Sequence, residues 1–165
     1  MKYSNIELKD IKDGFILLES RYSSISTDLE LDTNLRGFYE KYPGVYEACN
    51  SMNEKEDTFG GLFFIELNDN LTVYHSFTQR SPGKQHVQKS LRKESEQLIK
   101  NIMYVLNKAS KENKKLYVPK YIGASFGKHQ WRDIEKSLKT LSDDLVIIDL
   151  EWKEPEDDSE DKVLH

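Results

Sequence analysis

At 165 residues the chain has the length of one ordinary domain, with enough apolar content (37%) for a core. No apolar run reaches the roughly eighteen residues of a membrane span, and the amino terminus lacks the basic-then-apolar pattern of a secretory signal. The single cysteine, Cys49, excludes an internal disulfide framework or a cysteine-based zinc site, so a cytoplasmic, intracellular setting is expected.

Net charge is −5, but it is unevenly spread. Seven acids crowd residues 151–165 against Lys153 and Lys162, leaving 22 acidic and 22 basic residues in the first 150. A neutral body with an acidic end lacks the basic face that duplex nucleic acid requires. The division expected is one domain over 1–152 and an acidic, disordered tail over 153–165. His75, His86, His129 and His165 show no metal-ligand spacing, and no cofactor is implied.

In chain order, Met1 to Leu8 alternates imperfectly and predicts an edge strand. Phe15-Ile-Leu-Leu18 fits a buried strand, and Arg21 to Thr33, rich in Ser, Thr and Asp, a long loop. Leu35, Phe38, Tyr39 and Tyr42 fall at helical spacing until Pro43, and a second short helix is expected from Val45 to Met52. Leu62 to Ile65 and Leu71 to Phe77 predict a hairpin turning at Asn68-Asp-Asn70, followed by a polar loop from Thr78 to Gln85. Leu91, Leu98, Ile99, Ile102, Met103, Leu106 and Ala109 define one apolar helix face. Leu116 to Val118 reads as a strand, Ile134 to Leu141 as a helix with Leu138 inward, and Leu145 to Leu150 as the last strand. This alternation predicts an α/β fold, a three-layer α/β/α sandwich around a mixed central sheet.

The stretch from Leu116 to Trp131 carries the strongest functional signal. A strand stops at Pro119, Gly123 and Gly127 follow, and Gln130-Trp131 open an amphipathic helix. Strand, glycine loop and helix start together let backbone N–H groups close around a phosphate. Two glycines in a loop also serve a plain turn. In such sheets ligands sit beyond the carboxyl ends of the strands, where the loops after Ser20, Phe77 and Val118 are expected to meet.

In order along residues 3 to 152 the chain resembles the macrodomain family, the ADP-ribose-binding module. Ile6-Glu-Leu-Lys-Asp-Ile11 is similar to the opening strand that ends in Gly-Asp-Ile. Asn34 to Pro43 is similar to the helix that ends in an aromatic-Pro pair, and Gly61 to Phe77 to the family hairpin. Val118-Pro-Lys-Tyr-Ile-Gly123 with Trp131 downstream resembles the Pro-x-Ile-Gly-x-Gly loop. The resemblance implies an ADP-ribose-type small molecule, free or attached to a macromolecule, as partner. It points towards the small branches that hydrolyse ADP-ribose 1″-phosphate or remove ADP-ribose from carboxylates.

The ligand-binding residues it implies are Asp10 and Ile11, Thr78, Gln79 and Arg80, then Ile122, Gly123, Ala124, Ser125, Phe126 and Gly127. Asp10 would hydrogen-bond the adenine amino group, and Arg80 would pair with a terminal phosphate. Asp28 and His129 are the candidate catalytic groups, though such residues more often serve as a solvated loop acid and a helix-surface histidine. Departures from the family matter as much. The first loop, Ser24 to Asn34, contains no glycine and holds Asp28, Glu30 and Asp32, charges that oppose a phosphate. Gln79 and Gly127 stand where one branch has a lysine and an aspartate, so a covalent lysyl mechanism is not expected. Three readings remain open at this stage: a hydrolase of ADP-ribose derivatives, an inactive module that binds such a nucleotide, and an interaction domain with an empty pocket.

Overall fold

A computed structural model of the protein describes residues 1–21, 33–53, 60–79, 88–120, 122 and 128–156. These residues form six strands and four α-helices. The strands are β1 (Lys2–Ser4), β2 (Gly14–Arg21), β3 (Leu62–Glu66), β4 (Leu71–Gln79), β5 (Leu116–Pro119) and β6 (Leu145–Ile148). The helices are α1 (Thr33–Lys41), α2 (Pro43–Asn53), α3 (Gln88–Lys111) and α4 (Lys128–Leu138), with one 3₁₀ turn at Leu8–Asp10.

The strands make one sheet in the order β1-β6-β5-β2-β4-β3, and every neighbouring pair is parallel except β3 with β4. Parallel strands are covered on both faces, which is why Phe15 to Leu18 is apolar without alternation. Phe15 and Leu17 face a core built with Leu98, Ile102 and Val105 of α3 and Trp131, Ile134 and Leu138 of α4. Ile16 and Leu18 face the opposite core, closed by Leu8, Ile11, Phe38 and Val45. The result is the expected three-layer α/β/α sandwich around a mixed sheet.

Local chemistry sets the ends of these elements. The Asn34 side chain accepts the Leu8 N–H at 2.8 Å and ties α1 to the 3₁₀ turn. Pro43 opens α2, where its missing N–H costs nothing. Asn113 ends α3 in the left-handed region (φ 55°), and Lys114 N–H reaches back to the Ala109 carbonyl at 2.9 Å.

Several boundaries differ from the sequence expectation. The opening strand is Lys2–Ser4, not Ile6 to Ile11; that stretch bends into the 3₁₀ turn, because Leu8 and Ile11 bury into the core beneath α1 instead of alternating across a sheet. Strand β4 continues through Thr78 and Gln79, assigned to a loop by their polarity. Helix α4 starts at Lys128 and stops at Leu138, and β6 stops at Ile148. Met103 lies on the solvent side of α3, 48% exposed. Its position matched the apolar period, but the neighbours in contact with the sheet are Leu98, Ile102 and Val105. The long loop expected over 21–33 lies outside the described residues apart from its two end residues, and so do residues 157–165 of the tail expected over 153–165.

Candidate functional site

The register aligns one edge of the sheet. Ser4 pairs with Ile148 and Pro119 with Ile148, while Ile16 pairs with Tyr117 and Leu18 with His75. Carrying the β2–β5 register two residues on puts Leu18 level with Pro119. Asn5, Asp149, Lys120, Glu19 and Ser76 therefore form the next row, along the rim where all five parallel strands end. The stretches 22–32, 80–87 and 121–127 leave from β2, β4 and β5, three adjacent strands of that rim.

Two polar clusters occupy the rim. At the β1–β6–β5 end, Lys120 Nζ donates to Asp149 Oδ2 at 3.1 Å, an ion pair with both side chains largely covered. Asp149 also takes the Glu151 N–H on Oδ1 at 3.0 Å, and its own N–H donates to the Ser4 carbonyl at 2.8 Å. Asn5 reaches the Trp152 carbonyl at 3.4 Å, so the partly buried Trp152 is held against the end of β1. At the β2–β4 end, Thr78 Oγ1 donates to Glu19 Oε2 at 2.7 Å and meets Ser76 Oγ at 3.1 Å. Asn101 of α3 donates to Ser76 Oγ at 2.9 Å and to the Gly60 carbonyl at 3.3 Å, and accepts from Gln97 at 3.1 Å. Beneath this rim His75 is fully buried, stacked on Tyr39 with ring centroids 6.3 Å apart. Burial lowers its pKa to about 4 and pushes the Tyr39 hydroxyl well above its ordinary value.

No protein-family model matches the sequence, and no curated protein matches it either. Solved structures do. A protein from Bacteroides thetaiotaomicron superposes with a TM-score of 0.66 at 18% identity, over 91% of this chain and 99% of that one. The macrodomain of Mycobacterium tuberculosis DarG gives 0.59 at 18% identity, over 89% and 95%. Thermosipho africanus DarTG in complex with ADP-ribose gives 0.52 at 16% identity, over 87% of this chain and 40% of that longer one. The chain has the macrodomain fold.

On that macrodomain framework the sequence-derived residues fall unevenly. Thr78 is buried at the rim and bound to Glu19, and Gln79 ends β4. Ile122, just past β5, is buried in the core on the α3–α4 side. Asp10 is exposed in the 3₁₀ turn, on the stretch that leads from the end of β1 back to the start of β2. Ile11 is buried in the opposite core. His129 is the second residue of α4. Asp28, Arg80 and Gly123 to Gly127 lie outside the described residues.

Sequence reasoning missed Glu19, Ser76, Asn101, Lys120, Asp149 and Trp152. A signal for three of them was present. Glu19 follows Phe15 and Leu17 on one strand face, Ser76 and Thr78 follow Tyr74, and Asn101 interrupts an apolar helix face. Polar residues at inward positions need partners, and here they partner one another. Among the described residues no group of three or more His, Cys, Asp or Glu is placed to hold a metal ion, and no helix is long and apolar enough to cross a membrane.

Proposed function

We propose that the protein binds ADP-ribose or a closely related nucleotide across the carboxyl rim of the sheet. The observation that carries this reading is the alignment of five parallel strand ends along one rim, with the glycine-bearing stretch following β5 in the sequence. The fold shared with a protein solved in complex with ADP-ribose supports it. From β6 to β4 the rim spans three strand spacings, about 14 Å, which suits an extended dinucleotide-like ligand. In this reading the base lies at the β1–β6 end, beside Trp152 and within reach of Asp10. The diphosphate is cradled by the amides of 123–127, and the terminal sugar lies towards β2 and β4. Removal of phosphate from ADP-ribose 1″-phosphate is the reaction proposed for this site, with Asp28 and His129 as the groups that would direct a water.

Calorimetric titration with ADP-ribose tests the reading, and saturable binding at one site is the expected result. Absence of heat at millimolar ligand, with folding verified by circular dichroism, would overturn it. Phosphate release from ADP-ribose 1″-phosphate, followed over hours, separates a hydrolase from a module that only holds the nucleotide.

A further inference from the structure

The outer strand of the hairpin leaves one side of its backbone unused. Phe77 N–H donates to the Gly61 carbonyl at 3.0 Å and Leu67 N–H to the Leu71 carbonyl at 2.9 Å. With the antiparallel register, residues 61, 63, 65 and 67 therefore exchange bonds with β4. The N–H and C=O groups of Leu62, Phe64 and Glu66 alternate with these and point the other way, off the edge of the sheet. Among the described residues no hydrogen bond reaches those groups.

A flank of α3 stands over this edge. Asn101 donates to the Gly60 carbonyl at 3.3 Å, and Lys108 Nζ lies 5.6 Å from the centre of the Phe64 ring and 6.0 Å from that of Tyr74. Gln97, Asn101, Tyr104, Lys108 and Lys111 recur at four- and three-residue intervals and so share that flank, with Lys100 one turn before Tyr104. Phe64 packs on Tyr74, ring centroids 5.6 Å apart, yet stays 51% exposed; Tyr104 is 63% exposed. Lys100, Lys108 and Lys111 are exposed too, and no acid stands among these positions. A lysine or proline on the strand itself would discourage pairing, and β3 has neither.

We propose that β3 accepts an acidic peptide of a partner protein as a further strand of the sheet. Backbone bonds form to Leu62, Phe64 and Glu66, and an apolar side chain of the peptide rests against Phe64 and Tyr104. Carboxylates two residues to either side of it then face Lys100 and Lys111. The spacing suits this: α3 rises about 16 Å from Lys100 to Lys111, and side chains four residues apart on a strand are separated by about 13 Å. Long lysine stems cover the difference. A second copy of the chain fits less well. Pairing two β3 edges about a two-fold axis puts both lysine rows on the same side of the junction, facing each other. Strand addition here does not involve the rim proposed for the nucleotide.

The probe is a labelled Thr-Glu-Thr-Phe-Thr-Glu-Thr peptide, followed by fluorescence polarisation on the full chain at low salt. Saturable binding is expected, weakened about tenfold or more when both peptide acids become lysine, and likewise in the Lys100→Glu/Lys111→Glu variant. Glu66 separates strand addition from charge attraction alone. Glu66→Pro deletes an outward N–H without touching the β4 bonds, and it also removes an acid that opposes the peptide. Backbone pairing therefore predicts a loss of about fivefold or more, whereas Glu66→Gln, which keeps the N–H, should bind at least as well as wild type. Phe64→Thr, which suits a strand and deletes the ring, should lose about fivefold as well. Thermal unfolding checks that each variant is intact; should Glu66→Pro fail to fold, Phe64→Thr decides. No saturable binding at millimolar peptide, or equal binding of the acidic and basic peptides, would overturn the proposal. Binding undiminished in a folded Glu66→Pro or Phe64→Thr variant would leave charge attraction only and overturn strand addition. A chain that sediments as a dimer, dissociated by Glu66→Pro, would give the edge to a second copy and overturn it too.

Discussion

His75 shows how one buried side chain couples the fold to pH. Its imidazole is enclosed between the sheet and Tyr39 of α1, and removal from water holds it neutral, with a pKa lowered to about 4. In the unfolded chain it titrates near its ordinary value of 6.5. Above that value neither state is protonated, and His75 leaves stability independent of pH. As pH falls from about 6.5 towards 4 the unfolded chain takes up a proton that the native one refuses, so stability drops, by roughly 3 kcal/mol in all. Below pH 4 the native state protonates too and the contribution levels off. Urea unfolding of wild type and His75→Leu at several pH values between 7.5 and 4 checks this. The difference in unfolding free energy between the two should shift in favour of the variant as pH drops. A difference that stays constant with pH would mean that the fold leaves the His75 pKa at its ordinary value. Phe38 is the simpler case. Fully buried, with its ring against Tyr39 and Tyr42, it should cost about 3–5 kcal/mol when cut to alanine, measured by denaturant unfolding.

At the scale of elements, β2 depends on its first residue. Gly14 enters the strand at φ +115°, a region that side chains rarely adopt, and a Cβ there would sit 2.7 Å from the Lys115 carbonyl oxygen. That same oxygen accepts the Phe15 N–H at 2.9 Å, the first bond joining β2 to the chain before β5. Gly14→Ala cannot relieve the contact without breaking this bond. It should destabilise by roughly 2–4 kcal/mol, combining backbone strain with a lost hydrogen bond, as a fall in thermal midpoint. Helix α3 offers the opposite case. Met103 matches the apolar period yet faces water, so Met103→Gln should change stability by no more than about 0.5 kcal/mol. A large loss would put Met103 in a contact absent from this structure. The period marks which residues can share a face; which part of that face meets the sheet is set by how the helix lies on it.

For the whole molecule, the consequence of the strand order is that one rim gathers residues from every part of the chain. Ser4, Ile148, Pro119, Leu18 and His75 share a level although they span nearly the entire sequence. Gly123 follows β5 from that rim. In the proposed site, Gly123→Glu should abolish nucleotide binding with the thermal midpoint nearly unchanged, because a carboxylate beside a diphosphate costs several kcal/mol when partly desolvated. Calorimetry with ADP-ribose on that variant, beside its unfolding curve, gives the answer; undiminished affinity in a folded protein would move the phosphates elsewhere. The sequence by itself determined the strands that are apolar throughout, the hairpin, α1 to its Pro43 stop and the long α3, because burial and turn chemistry are written in neighbouring residues. What only the tertiary structure decided is the register that joins Asn5 to Trp152, Lys120 to Asp149, and Glu19 through Thr78 and Ser76 to Asn101. These partners are far apart in the chain, and a lone polar residue in an apolar run does not say what will satisfy it. It becomes part of a site only when parallel pairing brings the strand ends level.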